Sequence, residues 1–107
     1  VLGVRRELVE GHPWLPASLL KAFEASKRLA LERLSDTSAT KVTLPFVEEQ
    51  LKAARELLGE DFWSYGVAPN RHVVEAFLRH HHAQGLSSRL VTVDEMFPPS
   101  TFESARI

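Results

Sequence analysis

The sequence predicts a mainly α-helical chain of about four helices with little strand, and three observations predict it. Apolar residues recur at helical spacing through the stretches 13–34, 43–58 and 71–84. Two of these stretches run directly into a glycine, Gly59 and Gly85, the residue that most readily adopts the left-handed turn closing a helix. Only Val1–Val4 and Leu90-Val91-Thr92-Val93 read as extended.

The elements follow in order. Val1 to Val4 is apolar and reads as the end of a strand whose partners lie elsewhere. Arg5 to Glu10 reads as a short helix with Leu8 and Val9 inward, and Gly11 as its left-handed stop. Pro13 suits the first position of the next helix, where its missing N–H costs no hydrogen bond, and Pro16 is still tolerable in that first turn. That helix runs to about Leu34. Leu15, Leu19, Phe23, Ala30 and Leu34 share one line, with Leu20, Lys27 and Leu31 beside it. So wide an apolar face implies packing on two sides, or a partner outside this stretch of chain. The polar run Ser35–Thr43 reads as a loop.

Thr43 is read as the cap of a third helix with Pro45 in its first turn. Val47, Leu51, Ala54 and Leu58 form its stripe, and Gly59 ends it. Asn70 is read as the cap of a fourth helix from Arg71 to Gln84, with Val74, Phe77, Leu78 and His81 inward. Thr92 or Asp94 starts a last short turn holding Met96 and Phe97, and 98–107 reads as a loose tail. Glu24–Arg28, Glu48–Lys52, Lys52–Glu56 and Glu75–Arg79 stand at (i, i+4) spacing on the helix surfaces.

Composition removes several function classes. At 107 residues the chain holds at most one small core. It has 13 basic and 14 acidic side chains with no basic stripe, which argues against a nucleic-acid partner. There is no cysteine, so disulfides, thiolate metal sites and thiol nucleophiles are excluded. No apolar run is long enough for a membrane-spanning helix. The opening Val1-Leu2-Gly3-Val4 reads as mid-domain sequence, and residues 1–107 are expected to be one piece of a larger protein.

One stretch stands apart. Asp61-Phe62-Trp63-Ser64-Tyr65-Gly66-Val67-Ala68-Pro69-Asn70-Arg71 holds three of the nine aromatic residues. Large rings gain most from burial, so the plainer reading is a packing hub between helices. The functional reading is a ligand-facing loop carrying Tyr65, Asn70 and Arg71. Arginine's planar fork suits a carboxylate, which makes Arg71 the better anion candidate, with Arg5-Arg6 behind it. His80-His81-His82 does not form a metal site on spacing, because consecutive helical residues point in different directions. No metal-binding, phosphate-cradling or nucleophile-elbow motif is present, and no cofactor is expected.

Phe62-Trp63-x-Tyr65-Gly66-x-x-x-Asn70-Arg71 resembles the C-terminal region of the 4,5-dihydroxyphthalate decarboxylase family. The resemblance extends through Gly3-Val4-Arg5-Arg6-Glu7-Leu8, His12-Pro13-Trp14, Ala22-Phe23-Glu24, Lys27-Arg28-Leu29-Ala30 and Met96-Phe97. It implies that this chain is the C-terminal part of a two-lobed α/β protein with a type II periplasmic-binding-protein-like fold. It further implies non-oxidative removal of one carboxylate from an aromatic diacid, giving protocatechuate and CO2. Expected partners are a small aromatic carboxylate and the remainder of the same chain, with no membrane. Tyr65, Asn70 and Arg71 are the ligand-contact candidates; the catalytic acid is not assigned. A cytoplasmic location goes with this reading. The alternative on the same fold is a solute-binding protein of an ABC-type uptake system, which would be periplasmic.

Overall fold

The computed structural model describes residues 1–38 and 42–102. Among these residues there are five α-helices, one 3₁₀ turn and no strand. The helices are α1 (Arg6–Gly11), α2 (Leu15–Ser35), α3 (Val47–Leu58), α4 (Val67–Ala83) and α5 (Val93–Met96), and the 3₁₀ turn is Pro99–Thr101. The mainly helical character expected from periodicity is therefore present. No strand forms at 1–4 or 90–93; Thr92 is extended (φ −93°, ψ 159°), but Val93 is the first residue of α5. Positions 39–41 of the expected loop and 103–107 of the expected tail lie outside the described residues.

Several boundaries differ from the sequence reading, each for a local reason. Gly11 is the last residue of α1 and not a left-handed stop; His12 closes that helix, its N–H donating to Leu8 O. Residues 13–14 form a turn, so α2 starts at Leu15 and Pro16 falls within its first turn, where it is buried. Thr43 does not cap α3. Pro45 disfavours helical geometry at Leu44, and Phe46 takes the left-handed conformation (φ 57°, ψ 27°), so a right-handed helix starts only after it. Asn70 does not cap α4. Gly66, at φ 92°, is the cap residue, and Pro69 sits in the first turn where its missing N–H leaves nothing unpaired. Asn70 lies one turn inside the helix, and its Nδ2 donates to Gly66 O at 2.9 Å.

The two glycine stops hold. Gly59 closes α3 at φ 88°, its N–H donating to Arg55 O. Gly85, at φ 74°, closes α4 with two reverse hydrogen bonds: its own N–H to His82 O at 2.9 Å and Leu86 N–H to His81 O at 3.1 Å. Thr92 caps α5 in a reciprocal box: Glu95 N–H donates to Thr92 Oγ1, and Thr92 N–H donates to Glu95 Oε2.

The chain divides into two compact units. One comprises Val1–Lys21 together with the segment from Tyr65 onward; the other is Ala22–Ser64. In the first, Val67, Leu78 and Val93 are buried, and Val74, Val91, Phe97 and Phe102 pack against them. The 3₁₀ turn belongs to this packing, because Ala68 N–H donates to Phe102 O at 2.8 Å. Phe102, just after that turn, thus touches the cluster from within the stretch that the sequence reads as a tail.

The second unit is held differently. No side chain described in it falls in the buried class. Lys27 Nζ bridges Asp61 Oδ1 at 2.7 Å and Trp63 O at 2.8 Å, tying the middle of α2 to the loop after α3. Arg55 Nε lies 3.3 Å from Glu60 Oε2, near enough for an ion pair, but without hydrogen-bond geometry. Of the expected (i, i+4) pairs, only Lys52–Glu56 forms among the described residues, at 3.9 Å. Glu75 turns instead to Arg71.

Both units leave much apolar surface uncovered. Trp14, Phe23, Leu44, Phe46, Leu57, Trp63, Phe77 and Leu86 are all exposed, against three buried hydrophobic residues in the first unit and none described in the second. Among the described residues, large apolar side chains that are exposed thus outnumber those that are buried.

Candidate functional site

The three ligand-contact candidates all belong to the first unit, at the entry to α4. Their surroundings follow from how α4 meets α5. The inward line of Val67, Val74 and Leu78 sets which side of α4 faces Val93. Arg71 lies one turn after Val67 on nearly the same line, so its guanidinium reaches across to α5.

There it meets Asp94. Nη2 donates to Oδ1 at 2.7 Å and Nη1 to Oδ2 at 3.4 Å, a two-pronged contact of the kind the planar fork favours. Glu75 Oε1 stands 3.9 Å from Nη1. On another side, the guanidinium carbon lies 5.6 Å from the centre of the Phe102 ring, within cation–π range. Arg71 therefore fastens three elements: α4, α5 and the 3₁₀ turn. The Arg71 hydrogen bond and charge hold the Asp94 carboxyl below the usual range, and Asp94 raises Arg71 in return. A carboxylate ligand at Arg71 would have to share the cation with Asp94.

Asn70 and Tyr65 sit close by in sequence. Asn70 is half-buried, with its amide committed to Gly66 O. Tyr65 is 36% exposed, which leaves part of its ring on the surface. The structure thus places Tyr65, Asn70 and Arg71 around one helix start, with one of them already ion-paired.

A second charged cluster flanks the first. Arg89 Nη2 lies 2.9 Å from Glu95 Oε1. Together with the two hydrogen bonds from Thr92, this lowers the Glu95 carboxyl to about 2. The Asp94 and Glu95 carboxyls are both depressed in the folded state, so their contribution is complete above the ordinary carboxylate range near ~4 and is lost as the pH falls below it, for Glu95 toward about 2. After correction for intrinsic rates, the protection of amides 92–97 is therefore expected to fall between about pH 5 and pH 2, and Thr92→Ala, which removes a hydrogen bond to Glu95, to lower protection overall and narrow that window from its acid end. An exchange profile flat over that window, after correction for intrinsic rates, would show that the carboxylates do not hold α5.

The rest of the aromatic stretch is not a plug. Phe62 and Trp63 pack edge to face with ring centres 4.9 Å apart, but Trp63 is 66% exposed. Lys27 grips the Trp63 carbonyl, which fixes the backbone while the ring stays at the surface. The packing hub expected from the sequence does not form here, since Trp63 and Tyr65 both reach the surface. An open concavity of about 470 Å³ lies between the end of α2 and α3, lined by Leu34, Leu51, Lys52, Arg55, Glu56 and Glu60. It is remote in sequence from Tyr65, Asn70 and Arg71, and none of the three lines it. Among the described residues no group of three His, Asp or Glu side chains could hold a metal ion, and no helix is long and apolar enough to cross a membrane.

Comparison with known proteins gives a strong similarity to part of a longer protein. The chain is 63% identical over 106 residues to a 4,5-dihydroxyphthalate decarboxylase from Comamonas testosteroni. The chain matches the C-terminal part of that protein. The match takes in 99% of this chain and 32% of the relative, so this chain spans about a third of the relative's length. No protein-family model matches. The resemblance first read from Phe62-Trp63-x-Tyr65-Gly66 and the flanking segments thus extends over nearly every residue, and nothing in it favours the uptake-protein alternative.

Sequence reasoning missed Asp94 and Phe102 as the neighbours of Arg71, and Lys27 as the anchor of the Trp63 backbone. Thr92-x-x-Glu95 is a capping-box signature that marks the α5 start in sequence. A contact between positions 23 apart leaves no such local sign.

Proposed function

We propose that this chain is the C-terminal part of a 4,5-dihydroxyphthalate decarboxylase, a carboxy-lyase that converts the aromatic diacid to protocatechuate and CO2. The observation that carries the reading is the 63% identity over 99% of the chain. The many uncovered apolar side chains support it, since they suit a segment that completes its packing against more of the same protein.

The chemistry is redox-neutral. The hydroxyl para to the leaving carboxylate donates electron density to the ring carbon that bears it. A general acid protonates that carbon and gives a dienone-like intermediate. The C–C bond then breaks, its electron pair restores the aromatic ring, and CO2 departs. The protein must bind two carboxylates, deliver one proton and supply a pocket that disfavours charge on the departing group.

Tyr65, Asn70 and Arg71 are this chain's proposed ligand contacts. Arg71 offers the cation, Asn70 and Tyr65 offer neutral hydrogen-bonding groups, and the catalytic acid lies outside this assignment. The proposal includes a two-lobed type II periplasmic-binding-protein-like fold for the whole protein and a cytoplasmic location.

The test is CO2 and protocatechuate release by the full-length chain from 4,5-dihydroxyphthalate. Two variants sharpen it. Arg71→Ala is expected to raise KM by about tenfold or more, as loss of a charged contact does. Asp94→Asn is expected to lower thermal stability while leaving KM within about twofold. Equal effects of both variants on KM would assign Arg71 a purely structural role.

A further inference from the structure

The apolar arc of α4 is wider than the cluster that α5 and the 3₁₀ turn cover. Val67, Val74 and Leu78 point into that cluster. Val73 and Phe77, four residues apart, lie roughly 80–120° further round the helix at about 100° per residue. They are 57% and 59% exposed. His81, one turn on, stacks against Phe77 with ring centres 5.6 Å apart, and Leu86 just past the helix end is 65% exposed. This is an ordered apolar stripe on a helix of 17 residues, next to a small core and with nothing over it among the described residues.

We infer that this stripe of α4 is the seat for the part of the full-length chain that precedes residue 1. The inference rests on the reading that this chain is the C-terminal part of a longer protein. Two observations select that occupant over a second copy of the chain. The matched relative extends well beyond the region aligned here, since the alignment covers 32% of it. The stripe offers only Val73, Phe77 and Leu86 as large uncovered apolar groups. Three side chains by themselves are too few for the roughly 800 Å² per partner that a stable interface between separate molecules buries. A covalently attached segment meets no such threshold, because tethering removes most of the translational and rotational cost of docking.

Thiol accessibility in the full-length chain tests this. Residues 1–107 contain no cysteine, so Val73→Cys, Phe77→Cys and, as control, His72→Cys each place one reporter on α4. Val73→Cys is close to isosteric and keeps the fold if Phe77→Cys weakens it. His72 points away from both the buried line and the exposed stripe. Labelling is read at the reporter peptide by mass spectrometry. The expected result is that the thiols at positions 73 and 77 label more slowly than the one at position 72, by roughly 100-fold in the native protein. Denaturant should abolish the difference, because a covered thiol reacts only through local opening. Equal native rates at positions 72 and 73 would overturn the inference. Protection that disappears on dilution to a monomer would also overturn it, and would assign the face to a second copy. Protection in a chain that releases no CO2 from 4,5-dihydroxyphthalate would uphold the docking and remove the decarboxylase reading.

Discussion

Val93→Asp is expected to undo the packing of α5 on α4. Val93 is 2% exposed, the most deeply buried side chain of the Val67–Leu78–Val93 cluster. Two effects oppose each other at this position. An aspartate in the first turn of a helix gains about 0.3–1 kcal/mol from the helix dipole. Burying an unpaired carboxylate among Val, Leu and Phe side chains costs more, roughly 3 kcal/mol or above, so the burial term decides. The loss spreads, because Asp94 and Arg71 are positioned by the same contact and Phe102 packs on it. Hydrogen exchange on the full-length chain should show α4 and residues 92–102 losing protection together, while Val93→Ala produces a milder version of about 1–2 kcal/mol. Unchanged exchange in α4 after Val93→Asp would mean that this cluster is not what orders the unit.

The 107-residue chain by itself is expected to release no CO2 from 4,5-dihydroxyphthalate, an effect of the whole activity. The decarboxylation needs two carboxylate-binding groups, a proton donor and a pocket that excludes water. The described residues offer one ion-paired arginine at the candidate site, a neighbouring amide and a partly exposed phenol. The concavity lies in the other unit and is lined by charges of both signs. Carbon dioxide release from the purified 107-residue chain, above the buffer rate and proportional to its concentration, would defeat this expectation. Restored release with the full-length chain would locate the missing groups upstream.

Much of the local structure was legible in the sequence. Gly59 and Gly85 stop helices because their positive φ angles are cheap only for glycine, and that preference is written in residue identity alone. The four-residue spacing of Val47, Leu51 and the residues that follow gave α3, and the spacing of Val74 and Leu78 gave the inward line of α4. Helix starts were harder. Thr43 and Asn70 are good capping residues by type, yet the backbone turned at Phe46 and Gly66 instead. Capping competes with the φ/ψ demands of neighbouring residues, and Pro45 and Pro69 altered that competition. Coverage was legible only in outline: the wide apolar face of α2 pointed to a partner elsewhere, and Phe23 and Leu29 on that helix are exposed. Periodicity tells which side chains share a face, but not what lies over that face. Phe77 carried the right spacing for the core and is 59% exposed.

The site divides in the same way. Tyr65, Asn70 and Arg71 were legible as a polar group beside an aromatic run, because they are close in sequence. Their consequence depends on Asp94, Glu75 and Phe102, which reach Arg71 through the meeting of α4, α5 and the 3₁₀ turn. Those contacts change Arg71 from an unencumbered cation into one already shared with a carboxylate.

The most direct measurement is a replacement. This chain would be exchanged for the matched 106-residue region of the Comamonas testosteroni decarboxylase, and the chimera assayed for CO2 and protocatechuate. The account predicts a soluble, cooperatively melting chimera whose kcat/KM stays within about tenfold of the parent, a difference of ~1.4 kcal/mol in transition-state stabilisation. A chimera that folds and melts like the parent but releases no CO2 would contradict the claim that this chain serves a 4,5-dihydroxyphthalate decarboxylase.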